Sequence, residues 1–96
     1  MSEATLQRQF RHKCRDAGVF WRKMKFEGQH GCPDVMIAYK GQIVFVELKS
    51  DTGLGRLSGI QEYQIEKMRN ADIVVRVIAT TEGVDDVIRE IKTGTD

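Results

Sequence analysis

The segment from Gln42 to Lys49 limits the possible folds more than any other part of this 96-residue chain. Its residues alternate between two faces of a strand, and both faces are apolar over most of the length. This pattern is typical of a strand buried between two layers of a protein. The segment nevertheless ends in a carboxylate, Glu47, and an ammonium group, Lys49. Burying an unpaired charge is unfavourable, so one possibility is that the two charges pair or bind another group. The other possibility is that the strand reaches the surface there and water solvates both charges.

Three further segments are predicted to be strands. Asp34–Tyr39 is joined to Gln42–Lys49 by a two-residue hairpin turn at Lys40-Gly41. Val19–Phe26 alternates in polarity and has one face suited to water, and Asp72–Ala79 is rich in β-branched residues. Because one pair of strands forms an antiparallel hairpin and helices separate the others, the sequence predicts a mixed four-stranded sheet.

Three segments have the apolar spacing of helices. The first runs from Ser2 to about Ala17, and the second begins at a capping Ser58 and ends near Asn70. The third spans about Thr81 to Thr93 and has acidic residues in its first turn. A glycine-rich loop, residues 27–33, and a flexible stretch between Ser50 and Leu57 complete the order αβββαβα. We therefore expect a small α/β fold with its sheet flanked by helices.

The composition is that of one ordinary globular domain spanning residues 1–96. Hydrophobic residues make up 41% of the chain and charged residues 30%, with a single proline and no repeat or linker. No apolar run approaches the ~20 residues of a membrane span, and the first residues lack the features of a signal peptide. We expect the protein to be located in the cytosol, without membrane contact. If a virus or phage encodes the chain, we expect it to act inside the host cell. There, Cys14 and Cys32 would remain thiols.

The charge is distributed unevenly, although the net charge is only +1. Residues 1–26 carry seven bases and two acids, whereas residues 27–96 carry eight bases and twelve acids. Such asymmetry predicts a face that binds a polyanion, and the alternative is a solvated helix face followed by an edge strand. The candidate nucleic-acid-binding residues are Arg8, Arg11, Arg15, Arg22, Lys23 and Lys25, together with Arg56 in the stretch before the second helix.

The hairpin brings two carboxylates together. Counted outward from the turn, Asp34 and Glu47 are cross-strand neighbours, and Lys49 leaves the sheet at the same end. Adjacent carboxylates repel each other, and a divalent cation removes that repulsion. Mg²⁺ and Mn²⁺ prefer oxygen ligands of this kind.

Other candidate sites have weaker support. His12 and Cys14 point away from each other on a helix, so they cannot chelate zinc together. Cys32 has no obvious histidine base for nucleophilic catalysis, and His30 in a glycine-rich loop is more often solvated than a general base.

The arrangement Gly31-Cys32-Pro33-Asp34 followed by Glu47-Leu48-Lys49 resembles the PD-(D/E)xK nuclease motif. The short chain and the order of its elements resemble the stand-alone virus-type replication-repair nuclease (VRR-NUC) branch, as does the helix start Leu57-Ser58-Gly59-Ile60-Gln61. The resemblance covers nearly the whole chain and implies a restriction-endonuclease-like core.

The resemblance also implies roles for individual residues. Asp34, Glu47 and the backbone carbonyl of Leu48 would hold Mg²⁺ or Mn²⁺, and Lys49 would lie against the attacking water and the scissile phosphate. Glu3 is either a further metal ligand or an acid favourably placed at a helix N-terminus. Gln61 either orients water, metal ligands or nucleic acid, or is an ordinary exposed helix residue.

The predicted function is a metal-dependent, structure-selective DNA endonuclease. Within the resembled family, short free-standing members act as homodimers on branched DNA such as Holliday junctions, so we expect both properties here. The alternative is a non-catalytic nucleic-acid-binding α/β module, in which Glu47 and Lys49 form an exposed ion pair contributing roughly 0 to 1 kcal/mol. A nuclease of the same fold that acts on RNA is equally compatible with the residues.

Overall fold

The computed structural model describes residues 1–50 and 57–94 and has the predicted order of elements. The elements are α1 (Glu3–Ala17), β1 (Phe20–Lys23), β2 (Val35–Tyr39), β3 (Gln42–Leu48), α2 (Gly59–Asn70), β4 (Val75–Ile78) and α3 (Thr81–Thr93). Ser2 and Ser58 cap α1 and α2 through their hydroxyl groups, and Gly18 ends α1 in the left-handed conformation. The cap that the sequence identifies, Ser58, therefore sets the start of α2, and Ser2 and Gly18 bound α1 in the same way.

The four strands form a mixed sheet in the order β1-β2-β3-β4. The first three strands are antiparallel, and β4 lies parallel to β3, so α2 forms the crossover between them. Helices α1 and α3 pack together on one face of the sheet. The core between them contains Leu6, Phe10 and Cys14 of α1, Val44, Val46 and Leu48 of β3, and Val84, Val87 and Ile91 of α3. This core fixes β3 from one side along most of its length.

The opposite face of the sheet is covered only in part. Helix α2 packs against β4, where its Ile65 is buried, and its first turn reaches the end of β3 at Glu47. At the other end of β3, Ile43 is 51% exposed, and Phe20 on β1 is 44% exposed. The prediction that Gln42–Lys49 lies between two layers is therefore right near Glu47 and wrong at Ile43. One twelve-residue helix does not cover a four-stranded sheet.

Two strands are shorter than predicted. The segment Val19–Phe26 forms a strand only as far as Lys23, which pairs with Val35. Met24 still donates to the Asp34 carbonyl, and the strand pairing ends there.

The segment Asp72–Ala79 begins as a turn rather than as a strand. Asp72 has a φ of +62° and donates to the carbonyl of Arg69, and Ile73 donates to that of Met68. These bonds complete the end of α2, so β4 starts only at Val75. The predicted flexible stretch, Arg56 included, lies outside the described residues except at its two ends. Within 1–50 and 57–94, no helix is long and apolar enough to cross a membrane.

Candidate active site

The sheet brings Asp34 next to Glu47 at one end of the β2–β3 hairpin. Val35 pairs with Val46, so the next residues outward are Asp34 and Glu47, as the count from the turn predicts. Asp34 is held there because its Oδ2 accepts a hydrogen bond from the Leu48 backbone N–H at 2.9 Å. Pro33, immediately before it, is fully buried. Two carboxylates thus lie on adjacent strands in fixed positions.

Lys49 and Gln61 complete a hydrogen-bonded cluster around Glu47. The Lys49 Nζ lies 3.3 Å from Glu47 Oε2 and donates to Gln61 Oε1 at 2.9 Å. The Gln61 amide nitrogen donates to the same Glu47 oxygen at 2.8 Å. Glutamine is suited to this position because its amide both accepts from a cation and donates to an anion. Gln61, for which the sequence leaves two roles open, therefore contacts Glu47 and Lys49, two of the three charged residues of the motif.

The first turn of α2 determines where Gln61 lies. Its Oε1 also accepts a hydrogen bond from the Ser58 backbone N–H at 2.9 Å, while the Ser58 hydroxyl accepts from the Gln61 N–H at 3.2 Å. These two bonds form a capping box, which fixes the start of a helix. The same side chain therefore anchors α2 and orients Lys49.

Glu47 is only 2% exposed, and its Oε1 is a buried atom that makes no hydrogen bond within the described part of the chain. Burial, with the nearby negative charge of Asp34, raises the pKa of Glu47 to about 7, while Lys49 acts in the opposite direction. A buried oxygen without a partner is unfavourable unless another group binds it. The N–H and C=O of one strand residue point to the same neighbouring strand, so the Leu48 carbonyl is directed towards Asp34 as well. This set of oxygens fits a hard divalent cation.

Lys23 belongs to this cluster as well, although the sequence assigned it to phosphate binding. Its Nζ lies 3.6 Å from Asp34 Oδ1 and donates to Gln7 Oε1 on α1 at 2.8 Å. The placement follows from the pairing of Lys23 with Val35 at the end of β1. The eleven residues between these strands do not fix that register, so the sequence alone gives no signal for the contact.

Glu3 is exposed in the first turn of α1, one turn before Gln7. Nowhere in residues 1–50 and 57–94 do three acidic, histidine or cysteine side chains gather as metal ligands. The structure thus places Glu3 on the helix face that leads to Lys23 but does not bring it to Asp34 and Glu47. Its role as a ligand stays a prediction.

Three of the predicted nucleic-acid-binding residues line one groove beside the site. Arg11 and Arg15 on α1 and Arg22 on β1 surround a volume of about 420 Å³, together with His12 and the aromatic rings of Phe20 and Trp21. The Arg22 guanidinium lies over the Phe20 ring, 4.3 Å from its centre. Lys23 follows Arg22 directly but does not line the groove, because successive side chains of a strand point to opposite faces. Arg8 and Lys25 are exposed outside the groove, and Arg56 lies beyond the described residues.

The two cysteines are poorly suited to chemistry. Burial raises the pKa of Cys14 to about 12. The pKa of Cys32 is also raised, chiefly by burial and further by Asp34 and Glu47, and its Sγ donates to the Pro33 carbonyl. Both thiols are therefore uncharged at neutral pH and weakly nucleophilic.

No protein-family model matches the sequence, and no curated protein matches it significantly. A solved structure described as a VRR_NUC domain superimposes on the chain with a TM-score of 0.81 and 25% sequence identity. The match covers 93% of this chain and 97% of that structure. The resemblance noted in the sequence is thus confirmed for the fold, and the chain has the fold of a VRR-NUC domain.

Proposed function

We propose that this protein is a metal-dependent, structure-selective DNA endonuclease that hydrolyses phosphodiester bonds in branched DNA such as four-way junctions. The fold is that of a nuclease-type domain. The observation that carries the proposal is the buried Glu47, which has one oxygen without a partner and lies beside Asp34 and Lys49. An exposed ion pair, as in the binding-module alternative, has no such oxygen.

The residues suited to hold Mg²⁺ or Mn²⁺ are Asp34, Glu47 and the carbonyl of Leu48. A divalent ion bound there would lower the pKa of a water molecule and neutralise charge on the scissile phosphate. Nuclease domains of this kind are generally dependent on divalent metals, which agrees with this set of oxygen donors.

Lys49 has the position expected of a cation that stabilises the transition state. Its side chain is 13% exposed and is held by Glu47 and Gln61. Because its donors are already oriented, the ammonium group needs little reorganisation as negative charge develops on the phosphate. Gln61 acts through Lys49 and Glu47, so we assign it a positioning role.

The groove beside the site supports binding to the DNA backbone. Its arginines can contact phosphates, which hold nucleic acid without reading the sequence, and the described residues offer no helix arranged to enter a major groove. We therefore propose selection by DNA shape. A homodimer would place two sites on the two strands of a symmetric junction, as a two-fold assembly allows.

The deciding experiment measures cleavage of a labelled four-way junction, a linear duplex and a single strand, with Mg²⁺, Mn²⁺ or a chelator. We expect metal-dependent cleavage of the junction that Lys49→Ala lowers by roughly 100-fold or more. Binding of the junction should change little, because Lys49 is largely buried. Lys67→Ala, an exposed lysine on α2, is the matched control and should cleave like the wild type.

Two outcomes would contradict the proposal. Binding of the junction without cleavage under every metal would favour the non-catalytic binding module. Cleavage unaffected by Lys49→Ala would place the chemistry at other residues. A parallel RNA junction tests the substrate class, since efficient cleavage of RNA alone would replace DNA in the proposal.

A further inference from the structure

Lys23 lies between α1 and the candidate active site. Its ammonium group is 3.6 Å from Asp34 Oδ1 and 2.8 Å from Gln7 Oε1. The Lys23 side chain is 53% exposed and that of Asp34 is 30% exposed, so the pair is open to exchange with solvent and ions. Gln7 cannot neutralise the ammonium group, but it limits the directions in which the side chain points.

The two oxygens of Asp34 have different partners. Oδ2 accepts the backbone N–H of Leu48, whereas Oδ1 faces Lys23. Oδ1 has no backbone hydrogen bond and is therefore the more open oxygen for a cation, although Oδ2 keeps a second lone pair. Lys23 already lies on that side, so a bound metal ion and the ammonium group compete for the same oxygen.

The charges of the cluster agree with such an exchange. Without metal, the carboxylates of Asp34 and Glu47 are opposed by the ammonium groups of Lys23 and Lys49. A divalent cation adds two positive charges, so Lys23 is then repelled from Asp34. Because Gln7 still accepts its hydrogen bond, the freed ammonium stays beside the site, where an incoming phosphodiester brings a negative charge.

We propose that Lys23 has two successive partners: Asp34 in the metal-free protein, and the substrate phosphate once a metal ion occupies Asp34. This inference rests on the proposed nuclease function. It separates Lys23 from the residues that only track the DNA backbone, such as the exposed Lys25 beyond the end of β1.

The first test measures Mn²⁺ binding by calorimetry without DNA. We expect Lys23→Ala to bind Mn²⁺ about twofold to fivefold more tightly than the wild type, the range expected when a half-exposed competing ion pair is removed. Lys25→Ala and the control Lys67→Ala should bind Mn²⁺ like the wild type. A purely structural role of Lys23 would weaken metal binding or leave it unchanged.

The second test measures cleavage of the junction at saturating DNA and metal. We expect Lys23→Ala to lower kcat by roughly tenfold or more, with the Kd for DNA changed by less than about threefold. Lys23→Arg keeps the positive charge and should retain part of kcat. Lys67→Ala, the exposed lysine on α2, should leave both kcat and the Kd for DNA unchanged.

Either test can overturn the inference. Unchanged or weaker Mn²⁺ binding in Lys23→Ala would exclude competition at Asp34, and an unchanged kcat would exclude the contact with phosphate. Failure of the nuclease proposal can be told apart from failure of this inference. If the wild type cleaves nothing, Lys23 has no substrate phosphate to contact, but the Mn²⁺ titration still decides whether Lys23 competes with the metal ion at Asp34.

Discussion

Glu47 combines three properties that conflict in a protein without bound ions: it is buried, it lies beside another carboxylate, and one of its oxygens has no partner in the described part of the chain. Binding sites commonly contain such groups, because a ligand supplies what the protein leaves out. In a purely structural ion pair both oxygens would be expected to find partners. The environment of Glu47 therefore distinguishes the nuclease hypothesis from the binding-module hypothesis better than the sequence motif itself does.

The raised pKa of Glu47 predicts a pH dependence of stability. In the folded protein the pKa of Glu47 is about 7, whereas the ordinary pKa of a glutamate is 4.5. The folded state therefore binds more protons than the unfolded state between these values, and this group's contribution to stability is lost as the pH rises through 7. When the pH is lowered from 8 to 4.5, we expect the free energy of unfolding of the metal-free wild type to rise by about 1 to 3 kcal/mol relative to that of Glu47→Gln.

Urea unfolding of both proteins in chelator at the two pH values measures this difference. The glutamine variant keeps the shape of the side chain but cannot titrate, so other groups cancel in the comparison. Parallel pH profiles for the two proteins would show that Glu47 has an ordinary pKa.

At the scale of elements, the loop before β2 and the first turn of α2 hold the two halves of the motif together. Gly31 has a φ of +87°, and a Cβ there would lie 2.8 Å from the Ile60 carbonyl oxygen and 2.9 Å from Gln64 Cγ. The loop therefore packs directly on α2. Asp34 follows three residues later, and Gln61 follows Ile60, so this contact sets the distance between the two parts of the site.

Replacing Gly31 should disturb both stability and cleavage. Gly31→Ala introduces left-handed strain and a clash with backbone, and we expect a loss of roughly 2 to 4 kcal/mol in the free energy of unfolding. The matched control is Gly28→Ala in the same loop, with a φ of +69° and no atom within 4 Å of the added Cβ. It should lose only about 1 to 2 kcal/mol, because strain acts alone. Equal losses in urea unfolding would show that the contact with α2 is unimportant.

The sequence predicts the elements better than their ends or their surroundings. Periodicity and caps identify all seven elements, because each has a local signal such as Ser58 or the Lys40-Gly41 turn. The early end of β1 depends on where its pairing with β2 stops, and the exposure of Ile43 depends on where α2 crosses the sheet. These are tertiary properties that a local pattern does not contain.

The candidate site likewise contains contacts that the sequence predicts and contacts that it does not. The hairpin count places Asp34 beside Glu47, since both lie on strands joined by a short turn. The contact of Lys23 spans the eleven-residue connection between β1 and β2, and that of Gln61 spans the stretch before α2. Neither connection fixes a register. Only the resemblance drew attention to Gln61, and nothing in the sequence predicted the contact of Lys23 with Asp34.

Over the whole molecule, the uneven distribution of charge along the sequence gives the two sides of α1 different surface charges. Helix α3 carries acidic residues and packs beside α1, where Lys13 pairs with Asp85 at 2.7 Å. That side of α1 is thereby neutralised. Arg11 and Arg15 instead face the groove that they share with Arg22 on β1. The positive charge is thus concentrated around this groove, between α1 and the edge strand β1.

This arrangement predicts strongly salt-dependent DNA binding. Each phosphate neutralised by a basic residue releases counterions, so the slope of log K against log salt concentration becomes more negative by about 0.9 for every contact with duplex DNA. We expect the double variant Arg11→Ala/Arg15→Ala to reduce that slope by about one to two, measured by fluorescence anisotropy on the junction in chelator. Arg89→Ala, an exposed arginine on α3, should leave the slope unchanged. Salt-independent binding by the wild type, or an equal slope in the double variant, would show that DNA does not occupy the groove.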